Sequence, residues 1–383
     1  MKLHLRFLIY FFILALPHIG KANVQKFFLL PPAKIDLNQL DLKKFEERLY
    51  QIAPQSNPTE VKKQFIEFYS EFSQIIESRR TQNPYIQFSI LNKKNVTSLG
   101  TEISLKIESL YKRPNTDPNN WIEAYFYLPV TGINCLENKI PGTVILQHIR
   151  NRIDLERRVA KFMTLLNNGD EQSIFVFSFP QYGKRNNSKE GFFTSDLSLL
   201  RSHFLQTLLD IHVAYSFLHA HPYVDPQNIN LYGTSLGAIL GYLAAGTNPI
   251  FDSYSFLGGG GNLYKILTSR ALNNPESDLS QLVKELKDIQ QLQNSIAFMD
   301  PLLWSSFLKN KRVQILHAKR DELIDYKESL EPIILDYKEQ KNSLQLHMLN
   351  LGHGASVGFK ALFDIFFPIK TFLAKEAKEC SSL

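Results

Sequence analysis

The chain of 383 residues is 44% apolar and 21% charged and has two cysteines, so it can bury one large core without a disulfide scaffold. No low-complexity tract or internal repeat is present, which excludes collagen-like, solenoid and disordered architectures. The formal charge of +6 is too small to argue for a nucleic-acid partner.

Part of that charge sits at the start. Lys2 and Arg6 precede an apolar run over residues 7–16, Pro17 breaks it, and Gly20 and Ala22 supply the small residues a signal peptidase reads. A membrane span needs about 20 apolar residues, so the pattern predicts a secretory signal over residues 1–22. The mature chain is then exported, periplasmic or secreted, and keeps no stable membrane span. Losing Lys2, Arg6 and Lys21 lowers the formal charge to +3. Cys135 and Cys380 fit a compartment where pairing is permitted, and a disulfide and two surface thiols both stay open.

Residues 23–84 read as a helical appendage. Candidate helices cover 36–51 and 58–80, the second carrying Phe65, Phe68, Tyr69, Phe72, Ile75 and Ile76 at helical spacing. Pro58 fits its first turn, and Asn83-Pro84 ends it. Such a stripe predicts core packing against a following domain over 85–383.

That domain opens with alternating segments at 85–91, 102–110 and 121–128, which read as antiparallel strands. From Gly142 the rhythm becomes strand, helix, strand. Apolar runs at 143–146, 173–179, 228–232, 254–257, 313–317 and 344–349 alternate with helical stretches at 154–166, 196–219 and 238–245. Runs that continuous suit strands buried on both faces, so the fold class is α/β, a mostly parallel sheet covered by helices on both faces. Chemistry belongs at the carboxyl ends of such strands. An insertion at about 262–311, rich in Leu, Gln, Lys and Asp, reads as helices forming either a cap over the site or a surface pair.

The strand at 228–232 runs into Gly233-Thr234-Ser235-Leu236-Gly237 and then an apolar helix start, the pattern of a nucleophile elbow. A serine needs a base to take its proton, and the base needs an acid to hold it. In a parallel sheet those partners follow in the order Ser, acid, His. The strand at 313–317 leads to Asp321, with Glu322 and Asp325 as rivals, and the strand at 344–349 leads to His353 between two glycines. An oxyanion needs two N–H donors. One falls on Leu236, and the other in the turn Gln147-His148-Ile149-Arg150. His203, His212, His219 and His221 lie along one helix without the carboxylate spacing of a metal motif.

Over residues 101–373 the chain resembles the α/β-hydrolases, in pattern the dienelactone hydrolase, acetyl esterase and prolyl-oligopeptidase-like branches. The resemblance rests on the run from Val224 to Gly237, on Asp300-Pro301 with the strand into Asp321, and on Gly352-His353-Gly354. It implies Ser235, Asp321 and His353 as a catalytic triad. Relatives often carry glycines after the first parallel strand, whereas Ile149 and Arg150 follow His148 here, and Ile149 is the preferred second donor. The reading is an exported serine hydrolase of carboxylic esters, working on a small-molecule or acylated substrate without metal or organic cofactor. A serine peptidase and a catalytically silent binding module are the alternatives.

Overall fold

The computed structural model describes residues 24–97, 100–114, 117–129, 139–148, 153–165, 172–186, 191–273 and 289–353. Residues 1–22, read above as a signal, both cysteines, Ile149, Arg150 and Gly354 lie outside the described residues. The first four strands are β1 (Val24–Phe28), β2 (Tyr85–Thr97), β3 (Gly100–Glu108) and β4 (Trp121–Pro129), each antiparallel to the next. Helices α1 (Leu42–Ile52) and α2 (Pro58–Gln82) stand between β1 and β2. An alternating part follows: β5 (Ile140–Leu146), α3 (Asp154–Leu165), β6 (Ser173–Phe177), α4 (Leu197–Ala220), β7 (Val224–Thr234), α5 (Leu236–Thr247) and β8 (Ser253–Leu257). After α6 (Leu263–Asn273), α7 (Ile289–Ala297) and the short α8 (Pro301–Trp304), the chain ends its described part with β9 (Arg312–Arg320), α9 (Glu331–Glu339) and β10 (Ser343–Gly352).

All ten strands form one sheet in the order β1-β2-β3-β4-β6-β5-β7-β8-β9-β10. Pairing is antiparallel as far as β6 and parallel from β6 to β10. The α/β class and the antiparallel start are as the sequence implies. Because β6 lies on one side of β5 and β7 on the other, the strand order reverses at β5. Open sheets bind ligands at the carboxyl ends of the strands beside such a reversal.

The period of two divides each central strand between the faces. Phe126, Val144, Leu146, Phe175, Phe177, Ile229, Leu231, Phe256 and Ile315 join the larger core on the α4–α5 side. Tyr125, Tyr127, Ile145, Ile174, Val176, Tyr232, Leu257 and Leu316 face the other way, against Val159, Ala160 and Met163 of α3.

One expectation is corrected at the amino end. Residues 24–28, read as part of a helical appendage, form an edge strand paired only with β2. Phe27 alone is buried in it next to Gln25 and Lys26, so five residues carry no two-faced pattern to read. The helices themselves appear at 42–52 and 58–82, and the aromatic stripe is core. Phe65 stacks on Trp304 with ring centres 3.8 Å apart, and Phe68 lies 5.4 Å from Phe298.

Helix α4 is covered by the sheet on one side and by α2 on the other, so its polar side chains need internal partners. His212 Nε2–H donates to Leu30 O at 2.9 Å, while Asn248 Nδ2–H donates to His212 Nδ1 at 3.0 Å. That pairing requires a neutral ring. His203 Nδ1–H donates to Phe192 O at 2.7 Å. Burial pushes both imidazoles down to about 4.

A sign follows for stability against pH. The unfolded chain binds protons at these two rings near pH 6.5 and the native chain does not until about pH 4. Their contribution is therefore complete above pH 6.5 and is lost as pH falls toward 4, on the order of 2 kcal/mol for each ring. Urea unfolding at pH 7.5, 6, 5 and 4.5 should show a steady loss that begins above the carboxylate range. A free energy that stays flat down to pH 5 would contradict these assignments.

Candidate active site

β7 is buried in the middle of the sheet, and its last residues turn sharply into α5. Ser235 occupies that turn with φ 54° and ψ −116°, a left-handed backbone in a residue with a Cβ. Its N–H donates to Leu257 O at 2.9 Å, and its carbonyl accepts the Ile239 N–H at 3.0 Å, so both sides of the strained residue are tied. The helix start lies directly on β5: a Cβ at Gly237 would stand 2.6 Å from the Leu146 carbonyl oxygen.

Three elements bring polar side chains to this turn. Ser235 Oγ lies 3.0 Å from His353 Nε2, with both residues 8% exposed. His353 Nδ1–H donates to Asp321 Oδ2 at 2.8 Å. The carboxylate is itself fixed, because Asp321 Oδ1 accepts the N–H groups of Leu323 (3.0 Å) and Ile324 (2.9 Å). His353 follows β10 and Asp321 follows β9, its parallel neighbour. The rivals of Asp321 do other work. Glu322 Oε2 accepts the backbone N–H of His353 at 3.2 Å, and Asp325 caps the next turn through Glu328 N.

Gly258, at the end of β8, passes beside this pair with φ +59° and donates to Leu316 O. A Cβ there would lie 3.7 Å from the His353 ring, so the loop runs alongside the imidazole.

Two N–H groups near Ser235 Oγ were expected to be donors. Leu236 is the first residue of α5, where an N–H has no acceptor within the helix. Ile149 lies outside the described residues. The turn that leads to it is anchored in a way the sequence reading missed. Glu156 Oε1 accepts the His148 N–H at 2.8 Å and also meets His148 Nδ1, which commits the backbone of His148 elsewhere. An acid in the first turn of the helix after the loop was the available signal. Gln147 Oε1 accepts the Phe179 N–H at 3.1 Å, joining this turn to the loop after β6.

That second loop is also held from within. Arg185 and Asp210 form a buried ion pair at 2.7 Å, and Arg185 donates in addition to the carbonyls of Ser178 and Asn119. Tyr182 stacks on Phe192 at 5.9 Å, and Phe192 also packs on Phe193 and Phe204. Phe192 therefore anchors its loop.

The insertion is fastened at both ends. Asp300, buried, accepts the N–H groups of Asn262, Leu263 and Leu302, while its neighbours Phe298 and Trp304 pack on α2. Much of its stretch at 292–308 is thus core, and residues 274–288 lie outside the described residues. Among the described residues no cluster of three or more His, Cys, Asp or Glu side chains gathers to hold a metal. None of their helices is long and apolar enough to cross a membrane.

No protein-family model matches the chain, and no curated protein does. Solved structures do. An acetyl xylan esterase from Paenibacillus sp. R4 superposes with a TM-score of 0.56 at 14% identity, covering 79% of this chain and 93% of its own. Acetyl xylan esterase 1 from Thermoanaerobacterium sp. gives 0.53 at 14% identity, over 81% and 93%. A candidate dipeptidyl aminopeptidase IV from Bacteroides ovatus gives 0.52 at 11% identity, over 76% of this chain and 40% of its own.

The close approach at Gly237 is testable. Gly237→Ala pushes a methyl into backbone that cannot retreat, and overpacking of this kind costs about 1–3 kcal/mol. Thermal melts should show the loss, and an unchanged midpoint would contradict the packing of α5 on β5. The sheet order, the turn at Ser235 and the superpositions agree on one architecture, and the chain has the α/β-hydrolase fold.

Proposed function

We propose that the protein is a serine hydrolase that cleaves a carboxylic ester through an acyl-enzyme, with Ser235, His353 and Asp321 as its triad. The observation that carries this reading is the continuous line of hydrogen bonds from Ser235 Oγ through both nitrogens of His353 to Asp321. His353 Nε2 takes the hydroxyl proton as Ser235 Oγ attacks the ester carbonyl. Asp321 holds the ring with Nδ1 protonated and stabilises the imidazolium that forms. The tetrahedral oxyanion is met by the Leu236 N–H, supported by the dipole of α5, and by a second donor at Ile149. Collapse expels the alcohol, which takes its proton from His353, and water repeats the sequence on the acyl-enzyme.

Esters are favoured over peptides by coverage. The likeness to the two acetyl xylan esterases spans 93% of each. The likeness to the Bacteroides ovatus chain spans 40% of it, so most of that protein has no counterpart here. Short acyl groups are accordingly the first substrates to test.

A fluorophosphonate probe should label the purified protein and fail to label Ser235→Ala. No labelling of a folded wild type would overturn the enzyme reading in favour of a binding module. If p-nitrophenyl esters turn over and peptidyl anilides do not, the ester assignment stands; the reverse result replaces it with a peptidase. Asp321→Asn keeps an acceptor for Leu323 and Ile324 but favours the wrong tautomer of His353. Its kcat should fall about 10³- to 10⁴-fold with little change in KM.

Export is part of the same proposal. Residues 1–22 are read as a signal, so amino-terminal sequencing of the protein from its native host should begin at Asn23. A chain beginning at Met1 would overturn it.

A further inference from the structure

Asp321 holds the ring of His353, but a ring is only as well placed as the backbone that carries it. That backbone leaves the sheet at a defect. Leu349 pairs with Ala318 and Gly352 with Arg320, so three steps along β10 answer two along β9. One extra residue is accommodated just before His353, and a bulge of this kind bends its strand. Among the described residues the ladder between β9 and β10 runs no further than Gly352.

Glu322 takes over where the ladder stops. Its Oε2 accepts the His353 backbone N–H at 3.2 Å. Gly352 lets the carboxylate come this close, since a Cβ there would stand 3.3 Å from the same oxygen. Two consecutive acids therefore grip one histidine, Asp321 at ring Nδ1 and Glu322 at the main chain. Unlike the buried polar pairs of this fold, Glu322 is exposed. One hydrogen bond from an exposed side chain adds little to folding stability. Its effect falls on geometry instead. His353 Nε2 stands 3.0 Å from Ser235 Oγ, and proton transfer needs such a pair at about 2.6–3.2 Å, so a drift of about 0.5 Å breaks the contact.

We propose that Glu322 is a positioning residue for the reaction, fixing the main chain of His353 so that Nε2 stays within reach of Ser235 Oγ. The proposal rests on the hydrolase reading of Ser235, His353 and Asp321. Glu322 acts by place and not by charge. The backbone N–H it holds keeps its proton throughout the cycle, and water screens an exposed carboxylate, so an uncharged acceptor of the same length serves equally.

Glu322→Gln keeps an oxygen at that reach, whereas Glu322→Ala removes it. With p-nitrophenyl acetate, Glu322→Ala should lower kcat roughly tenfold or more. Its KM should stay within about twofold and its thermal midpoint within about 2 °C of wild type. Glu322→Gln should restore kcat to within about threefold, with the acid limb of kcat/KM unmoved. Equal losses in the two variants overturn the proposal by assigning the role to charge. Full activity of Glu322→Ala overturns it too, as does a loss that tracks a fall in the thermal midpoint. Proton NMR reads the same placement without turnover. The His353 Nδ1–H should give a far-downfield line in wild type and Glu322→Gln that exchanges away in Glu322→Ala. An inert wild type with that pattern sinks the hydrolase reading and leaves the hold on His353 standing; a line unchanged in Glu322→Ala sinks the hold itself.

Discussion

A single strained residue sets the terms for the rest of the fold. The backbone of Ser235 sits where residues with a Cβ rarely go, at a cost of about 1–3 kcal/mol, and it persists because its surroundings leave no alternative. β7 is buried on both faces, α5 lies against the carbonyl of Leu146, and the Ser235 N–H is bonded to β8. The serine side chain is thereby lifted out of the sheet at the strand order reversal, where the loops after β8, β9 and β10 converge on it.

Rigidity around that point comes from polar groups buried in pairs. Arg185 with Asp210, Glu156 with His148 and Asp300 with three backbone N–H groups each close a loop onto a helix. Removing one member of the Arg185–Asp210 ion pair costs about 3–5 kcal/mol, because the other is left without a partner in a medium that solvates it poorly. These pairs therefore hold the loops near Ser235 in one arrangement. Helices α1 and α2 act in the same sense through apolar contacts. Stacked on Trp304, they brace the stretch that leads into β9 and hence into Asp321.

Much of this was legible in the sequence because the parallel strands are buried on both faces. A run such as Val144-Ile145-Leu146 has few other readings, and tight turns with glycine beside Ser235 and His353 mark where strands end. Edge strand β1 was illegible for the opposite reason: one buried phenylalanine among exposed neighbours has no period. Tertiary partners were also hidden. Its place beside the strand end favours Asp321 over Glu322, and the fold adds what that spacing leaves open: one meets the imidazole while the other holds the backbone of His353. The insertion illustrates a third case. Its composition suggested a cap over the site or a surface pair of helices, whereas Leu292, Ile296 and Met299 are buried and their helix packs on α4 and on α1, the latter more than 200 residues away in the chain.

His353 lies 118 residues beyond Ser235, just after the last strand in the chain among the described residues. The serine turn and β8 therefore precede their base in the chain. Chains emerge at about 5–20 residues per second, so synthesis supplies the nucleophile several seconds before its base. The hydroxyl of Ser235 meets His353 and Asp321 only once β9 and β10 have joined the sheet, so the hydrogen-bonded line of three side chains is a property of the nearly complete fold.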